Sequence, residues 1–245
     1  MIDWSACVLA ARRANSAYIE DEGDTKAAFA ALGDLYVSRY QDGSHQVVLS
    51  VDGDGKPWVS ISGTRFSDGK ILDVLADVSL DPVDVGGANV TKGAYAGMQD
   101  AWNWALSVIP DGVPVNVCGH SLGAARTHFT PLFLPAERIG ELYSFESPKF
   151  ADNAYYVKQS SALSKMVCVL NGADLWAGWP WFDSRWGRPL NPHIWLTGGW
   201  YSVISAAQWP GGKSNEDHSI DLVLANIEQI ANHPLIPECA ALAAS

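Results

Sequence analysis

The sequence predicts an α/β fold in which a mostly parallel central sheet is flanked by helices. Three observations carry this. Short β-branched runs alternate with amphipathic helical segments along most of the 245 residues, the pattern of a sheet covered on both faces. Val113-Pro114-Val115-Asn116-Val117-Cys118 reads as a buried strand, and Ala124-Ala125-Arg126-Thr127-His128-Phe129 reads as the start of a helix. Between them lies Gly119-His120-Ser121-Leu122-Gly123, a strand-to-helix turn whose glycines keep Cβ atoms out of a crowded corner.

The other elements follow in order. Residues 2–20 carry Ile2, Cys7, Leu9, Ala10, Ala14, Ala17 and Tyr18 at helical spacing, which predicts an amphipathic helix. Gln46–Val51 and Trp58–Ser62 read as strands, and the Asp52-Gly53-Asp54-Gly55 turn between them signals a hairpin. Gly93–Ile109 reads as one helix with Met98, Trp102 and Leu106 on a common face. Glu141–Phe145 and Met166–Leu170 read as strands, and Leu222–Ile230 as a closing helix. With 48% hydrophobic residues and no repeat or linker, the chain is expected to form a single domain over residues 1–245.

Composition excludes several functions. A net charge of −11 argues against nucleic acid as partner and against tight docking on anionic membranes. No stretch approaches the ~20 apolar residues that span a bilayer. Met1-Ile2-Asp3-Trp4 lacks a basic leader region, so a cytoplasmic chain is expected. Cys7, Cys118, Cys168 and Cys239 show no Cys-x-x-Cys pairing, which argues against zinc. Cys118 and Cys168 fall in core strands; Cys7 and Cys239, near opposite ends, would pair only in an oxidising compartment.

Strand, Gly-x-Ser-x-Gly and helix together form the setting in which a serine becomes a nucleophile, here Ser121. Serine is a poor nucleophile unless a histidine takes its proton and an acid orients that histidine. In this setting the chain order is serine, acid, histidine. Asp174 is the best acid because Asn171-Gly172-Ala173-Asp174 directly follows the strand Met166–Leu170, whereas Asp152 and Asp183 follow no strand directly. Of the histidines beyond it, His218 lies in a polar loop entering the last helix, His193 begins a strand, and His233 follows the last helix. His218 is therefore the expected base. His120 is expected to point away from its neighbour's Oγ. The Leu122 backbone N–H supplies one oxyanion-hole donor, and Thr64, in the loop after Trp58–Ser62, can supply another.

The ordered set Ser62-Gly63-Thr64, Lys92-Gly93-Ala94-Tyr95, Gly119-His120-Ser121-Leu122-Gly123, Phe145-Glu146-Ser147-Pro148, Asn171-Gly172-Ala173-Asp174 and Asp217-His218 resembles the class 3 lipase family, the fungal triacylglycerol lipase and feruloyl esterase type of α/β-hydrolase. The resemblance spans roughly residues 45–225. It implies Ser121, Asp174 and His218 as the triad, and Thr64 with Leu122 as the oxyanion hole. It also implies a lid at about 68–79. The chain departs from the family pattern at Ser62, where arginine is usual, and at Glu146, where glycine is usual. It departs again in the stretch at about 175–209, which holds Trp176, Trp179, Trp181, Trp186, Trp195, Trp200 and Trp209. Phe66, Leu72, Leu75, Trp176 and Trp179 are the candidate substrate contacts.

The function expected is hydrolysis of a small-molecule or lipid ester through an acyl-enzyme, with no cofactor and no metal, and with transient contact at a lipid interface. Two other readings use the same residues: acyl transfer to an alcohol or a feruloyl or carbohydrate esterase, and a catalytically silent module that binds through its tryptophan-rich face. All three catalytic roles are filled, which favours the enzyme.

Overall fold

The computed structural model describes residues 2–43, 45–64 and 78–232. Phe66, Leu72, Leu75, His233, Cys239 and most of the expected lid lie outside the described residues.

An eight-stranded sheet runs in the order β1-β2-β3-β6-β7-β9-β11-β12. Its strands are β1 (Leu35–Asp42), β2 (His45–Val51), β3 (Pro57–Ile61), β6 (Val115–His120), β7 (Ile139–Phe145), β9 (Val167–Asn171), β11 (His193–Thr197) and β12 (Trp200–Ile204). The pairs from β3 through β11 are parallel, and antiparallel hairpins close both edges. This is the α/β-hydrolase arrangement expected.

The central strands are buried along most of their length because each side of the sheet is covered. Val59, Val117, Leu142 and Cys168 face one core with α4 (Met98–Val108) and α5 (Leu122–His128), which contribute Met98, Trp102 and Leu122. The adjacent residues Trp58, Cys118, Tyr143 and Val169 face the other core. There they meet Cys7, Ala10 and Ala14 of α1 (Trp4–Ser16) and Val223 and Ile227 of α7 (Ile220–Asn232). Small side chains let α1 lie close to the strands. Cys7, Cys118 and Cys168 are buried, and burial pushes each thiol up to about 12, so they pack as inert apolar groups.

The helix expected at Gly93–Ile109 is broken in two, α3 (Lys92–Tyr95) and α4. Gly97 takes a left-handed φ of 73°, and the Arg126 guanidinium occupies the carbonyls of Ala94 and Ala96 at 3.0 Å each. α2 (Glu22–Ala31) and a small second sheet were not expected. That sheet runs in the order β10-β8-β5-β4, from β4 (Pro82–Asp84), β5 (Asn89–Thr91), β8 (Ala151–Asp152, which leads into α6, Asn153–Lys158) and β10 (Trp186–Gly187). Strands of two or three residues are too short to show a period.

Arg13 anchors α1 to the sheet. Its guanidinium donates to both Asp34 oxygens at 2.7 and 2.6 Å and stacks 4.2 Å from the Trp58 ring, and Ser50 Oγ donates to Asp34 at 2.9 Å. Arg13→Ala strands a buried carboxylate and is expected to cost about 3–5 kcal/mol of stability. Denaturant unfolding measures this, and a loss under about 1 kcal/mol would contradict it.

Candidate active site

β6 ends at His120, α5 begins at Leu122, and Ser121 between them adopts φ 57°, ψ −125°. A left-handed backbone costs a non-glycine residue on the order of 1–2 kcal/mol, and strain of this kind collects at functional sites. The turn exists because its glycines permit it. A Cβ at Gly119 would run into the Gly123 carbonyl, and one at Gly123 into the Ile61 carbonyl. The Ser121 N–H donates to the Phe145 carbonyl at 3.0 Å, tying the turn to β7.

Ser121 Oγ lies 2.8 Å from His218 Nε2, and His218 Nδ1–H donates to Asp174 Oδ2 at 2.7 Å. All three side chains are buried. Asp174 stands three residues beyond β9 and His218 ends the 3-10 turn Glu216–His218 that leads into α7. Stitching between their two loops closes the gap of 44 residues. Ser214 N–H donates to the Ala173 carbonyl at 2.8 Å and Leu175 N–H to the Ser214 carbonyl at 2.9 Å. Asn171 Nδ2 reaches the Asp217 carbonyl at 2.9 Å, and the Ala173 N–H reaches Asp217 Oδ2 at 2.7 Å.

The Asp174 carboxyl responds to opposing forces. Burial raises it. The His218 charge and the hydrogen bonds from His218 Nδ1–H and the Trp176 N–H, each at 2.7 Å, outweigh that and hold it below its ordinary value. Asp174 therefore carries charge at neutral pH, as an acid that orients an imidazolium must. The rejected acids are engaged elsewhere: Asp152 caps α6 through the Tyr155 N–H, and Asp183 pairs with Arg185. His193 is a packed residue at the start of β11, donating Nδ1–H to the Asn191 carbonyl at 2.9 Å.

A second histidine braces the first. His120 Nε2 meets the His218 carbonyl at 2.8 Å, and a carbonyl can only accept, so Nε2 carries the proton and Nδ1 accepts from Tyr18 OH at 2.7 Å. Burial and the neighbouring His218 depress His120 to about 3, so it stays neutral. Its side chain is directed away from Ser121 Oγ, as expected. The Tyr18 brace was missed, because no local signal links the end of α1 to a residue 102 positions on.

On the other side of Ser121 lies Ser62-Gly63-Thr64. A Cβ on Gly63 would sit 3.0 Å from the Ser121 Cβ. Thr64 Oγ1 is buried with no hydrogen-bond partner among the described residues. Leu122 is the first residue of α5, where backbone N–H groups have no intrahelical acceptor. Both candidate donors thus flank the serine.

Trp176 and Trp179 lie in the core, with ring centroids 5.9 Å apart. Trp176 also donates from Nε1 to Asn215 Oδ1 at 3.1 Å, so it braces both loops. Edge-to-face contacts from Trp179 continue the aromatic cluster outward to Trp181 and Phe182, which are 54% and 63% exposed.

Among the described residues, one acidic and histidine cluster converges closely enough to suggest a metal: Glu146, Asp174 and His218, with ligand atoms within 4.8 Å of one another. Both His218 nitrogens already face Ser121 and Asp174, so the cluster fits the serine arrangement better than an ion. Glu146, whose φ is 55°, was noted in the sequence only as a departure from glycine. An acidic residue at the carboxyl end of an apolar parallel strand, where ligands bind in such sheets, was the available signal.

No protein-family model and no curated protein sequence matches the chain. Solved structures do. A lipase from Rhizopus microsporus var. chinensis superposes with a TM-score of 0.68 at 16% identity, covering 88% of this chain and 85% of that one. The triacylglyceride lipase of Rhizomucor miehei gives 0.67 at 18% identity, covering 89% and 94%. The mono- and diacylglycerol lipase of Aspergillus oryzae gives 0.65 at 17%, covering 93% and 94%. The chain has a class 3 lipase-like α/β-hydrolase fold.

Proposed function

We propose that the protein is a serine carboxylic-ester hydrolase. The observation that carries this reading is the unbroken line from Ser121 Oγ through His218 to Asp174, set on a strained strand-to-helix turn. In this reading His218 Nε2 takes the Ser121 proton as Oγ attacks the ester carbonyl. The Leu122 N–H and Thr64 receive the oxyanion. His218 then gives the proton to the departing alcohol, leaving an acyl-Ser121 ester. Water, deprotonated by the same imidazole, releases the acid and restores the serine. The residues supply the whole cycle.

Lipid esters are the substrate class to test first, since the structural neighbours are named as lipases. The exposed Trp181 and Phe182 suit transient contact with a lipid interface. Trp176 and Trp179 would back the acyl pocket. Described-residue helices include none long and apolar enough to cross a membrane.

The test is hydrolysis of p-nitrophenyl esters from acetate to palmitate beside a feruloyl ester and emulsified triglyceride, with fluorophosphonate labelling of Ser121. Labelling with turnover of at least one ester is expected. Labelling without any turnover would favour acyl transfer, and no labelling would favour a binding module. If residues 68–79 form a lid, Leu72→Asp should weaken palmitate hydrolysis more than acetate hydrolysis. Equal losses would make that segment structural.

A further inference from the structure

Three carboxyl side chains important to this fold are buried: Asp34, Asp174 and Glu146. Asp34 is satisfied by Arg13 and Ser50, and Asp174 by His218 and the Trp176 N–H. Glu146 is different. It is wholly buried, and neither of its oxygens has a hydrogen-bond donor among the described residues. The Asn171 N–H acts on it only from outside hydrogen-bond geometry. Arg188 is the cation that faces it, yet no ion pair joins them. The Arg188 guanidinium is spent on the carbonyls of Ser147 and Ala177 and stacks 4.6 Å from the Trp209 ring.

What Glu146 does have beside it is Asp174, with an oxygen of each within 4.8 Å. Two buried carboxyl groups this close do not both ionise. Asp174 collects the donors and holds the charge; Glu146, with none, keeps a proton, and that proton needs an acceptor. We propose that Glu146 is a neutral carboxylic acid whose O–H donates to Asp174, making it a positioning residue for the acid that orients His218.

Its bearing on catalysis rests on the hydrolase reading; its protonation does not. Asp174 then has three donors: the Trp176 N–H, His218 Nδ1–H and the Glu146 O–H. These lock the carboxylate plane against the imidazole. The left-handed backbone at 146, where glycine would be free of strain, aims the side chain inward. Burial first, then the Asp174 charge, push the Glu146 carboxyl well above its ordinary value, while the Arg188 charge pulls the other way. Behind Arg188, His193 and His128 are held neutral by burial, at about 4 and about 3, and add no charge. His218 is the remaining facing group. At high enough pH, Glu146 ionises, the pair repels, and Asp174 loses a donor. Activity should then fall on the alkaline side.

The test has two arms. In protein labelled with side-chain ¹³C-glutamate, the Glu146 carboxyl resonance is identified by its loss in Glu146→Gln. Should that variant not fold, Glu146→Gly, which relieves the backbone, serves. A carboxylic-acid resonance that persists from about pH 5 to 8, where ordinary glutamates are ionised, is expected. A carboxylate resonance there overturns the proposal. In the second arm, kcat and KM are measured against pH for Glu146→Gln, which keeps a donor, and Glu146→Met, which keeps the volume alone. Gln should stay within about threefold of the parent and lack the alkaline limb. Met should lose on the order of tenfold in kcat with KM little changed, the size of one hydrogen bond to a charged group. Equal activity of the two variants overturns the positioning role. Fluorophosphonate labelling separates the two ideas: an unreactive Ser121 in the parent protein sinks the hydrolase reading and leaves the carbon resonance to decide the protonation of Glu146.

Discussion

Ser121→Ala is expected to reduce ester hydrolysis by at least ~10³-fold while leaving the fold intact. The substitution removes the one oxygen that His218 Nε2 contacts at 2.8 Å, and no other hydroxyl or thiol contacts that nitrogen among the described residues. Cys118, the nearest thiol in sequence, is held protonated by burial and hydrogen-bonded to Ser60 Oγ on the sheet, so it offers no substitute. What survives in the variant is the oxyanion site, which keeps some catalysis over water. Stability should change little, because alanine inherits the same left-handed backbone and the Phe145 carbonyl still holds its N–H. Turnover per folded protein, with thermal unfolding measured on the same sample, decides the matter. More than a tenth of parental turnover would remove Ser121 as the nucleophile.

The parts of this site legible in sequence are those whose causes are local. The elbow could be read because β6 is buried on both faces and rich in valine and because Gly119 and Gly123 mark where Cβ atoms cannot fit. Asp174 could be read because it follows β9 by three residues, on the sheet edge where ligands bind. His218 needed the chain order as well, since only the stitching of residues 171–175 to 214–217 brings it to Asp174. Contacts with distant causes were not legible. Tyr18 reaches His120 from the end of α1, and Glu146 acquires its meaning from Asp174 and Arg188, which come from two other segments. Among the elements, β1 was missed because no residue in it is fully buried, Leu35 and Val37 are exposed, and its pairing slips between Tyr36 and Ser38. The single helix expected at 93–109 failed at Gly97, where helical periodicity continues across a backbone that does not.

Asp174→Asn and His218→Ala are each expected to be severely impaired, and His193→Ala is not. The aspartate change is the more informative because it alters almost no shape. In the parent, Oδ1 accepts the Trp176 N–H and Oδ2 accepts His218 Nδ1–H, which leaves Nε2 unprotonated and able to take the Ser121 proton. An asparagine has one acceptor for these two donors. If its oxygen stays on Trp176, its amide N–H faces Nδ1 and drives the imidazole proton to Nε2, the tautomer that cannot act as base. If it turns, two N–H groups collide at Trp176. The loss should reach ~10⁴-fold in kcat. His218→Ala removes the proton acceptor and should take most of the rate with it. His193 works under other rules. Burial depresses it to about 4, and its Nδ1–H is spent on Asn191, so His193→Ala should cost stability and spare turnover per folded molecule. The three variants, compared by kcat on one short-chain ester across pH, test the assignment together. An inactive His193→Ala beside an active His218→Ala would overturn the choice of base, and an Asp174→Asn variant within tenfold of the parent would overturn the choice of acid.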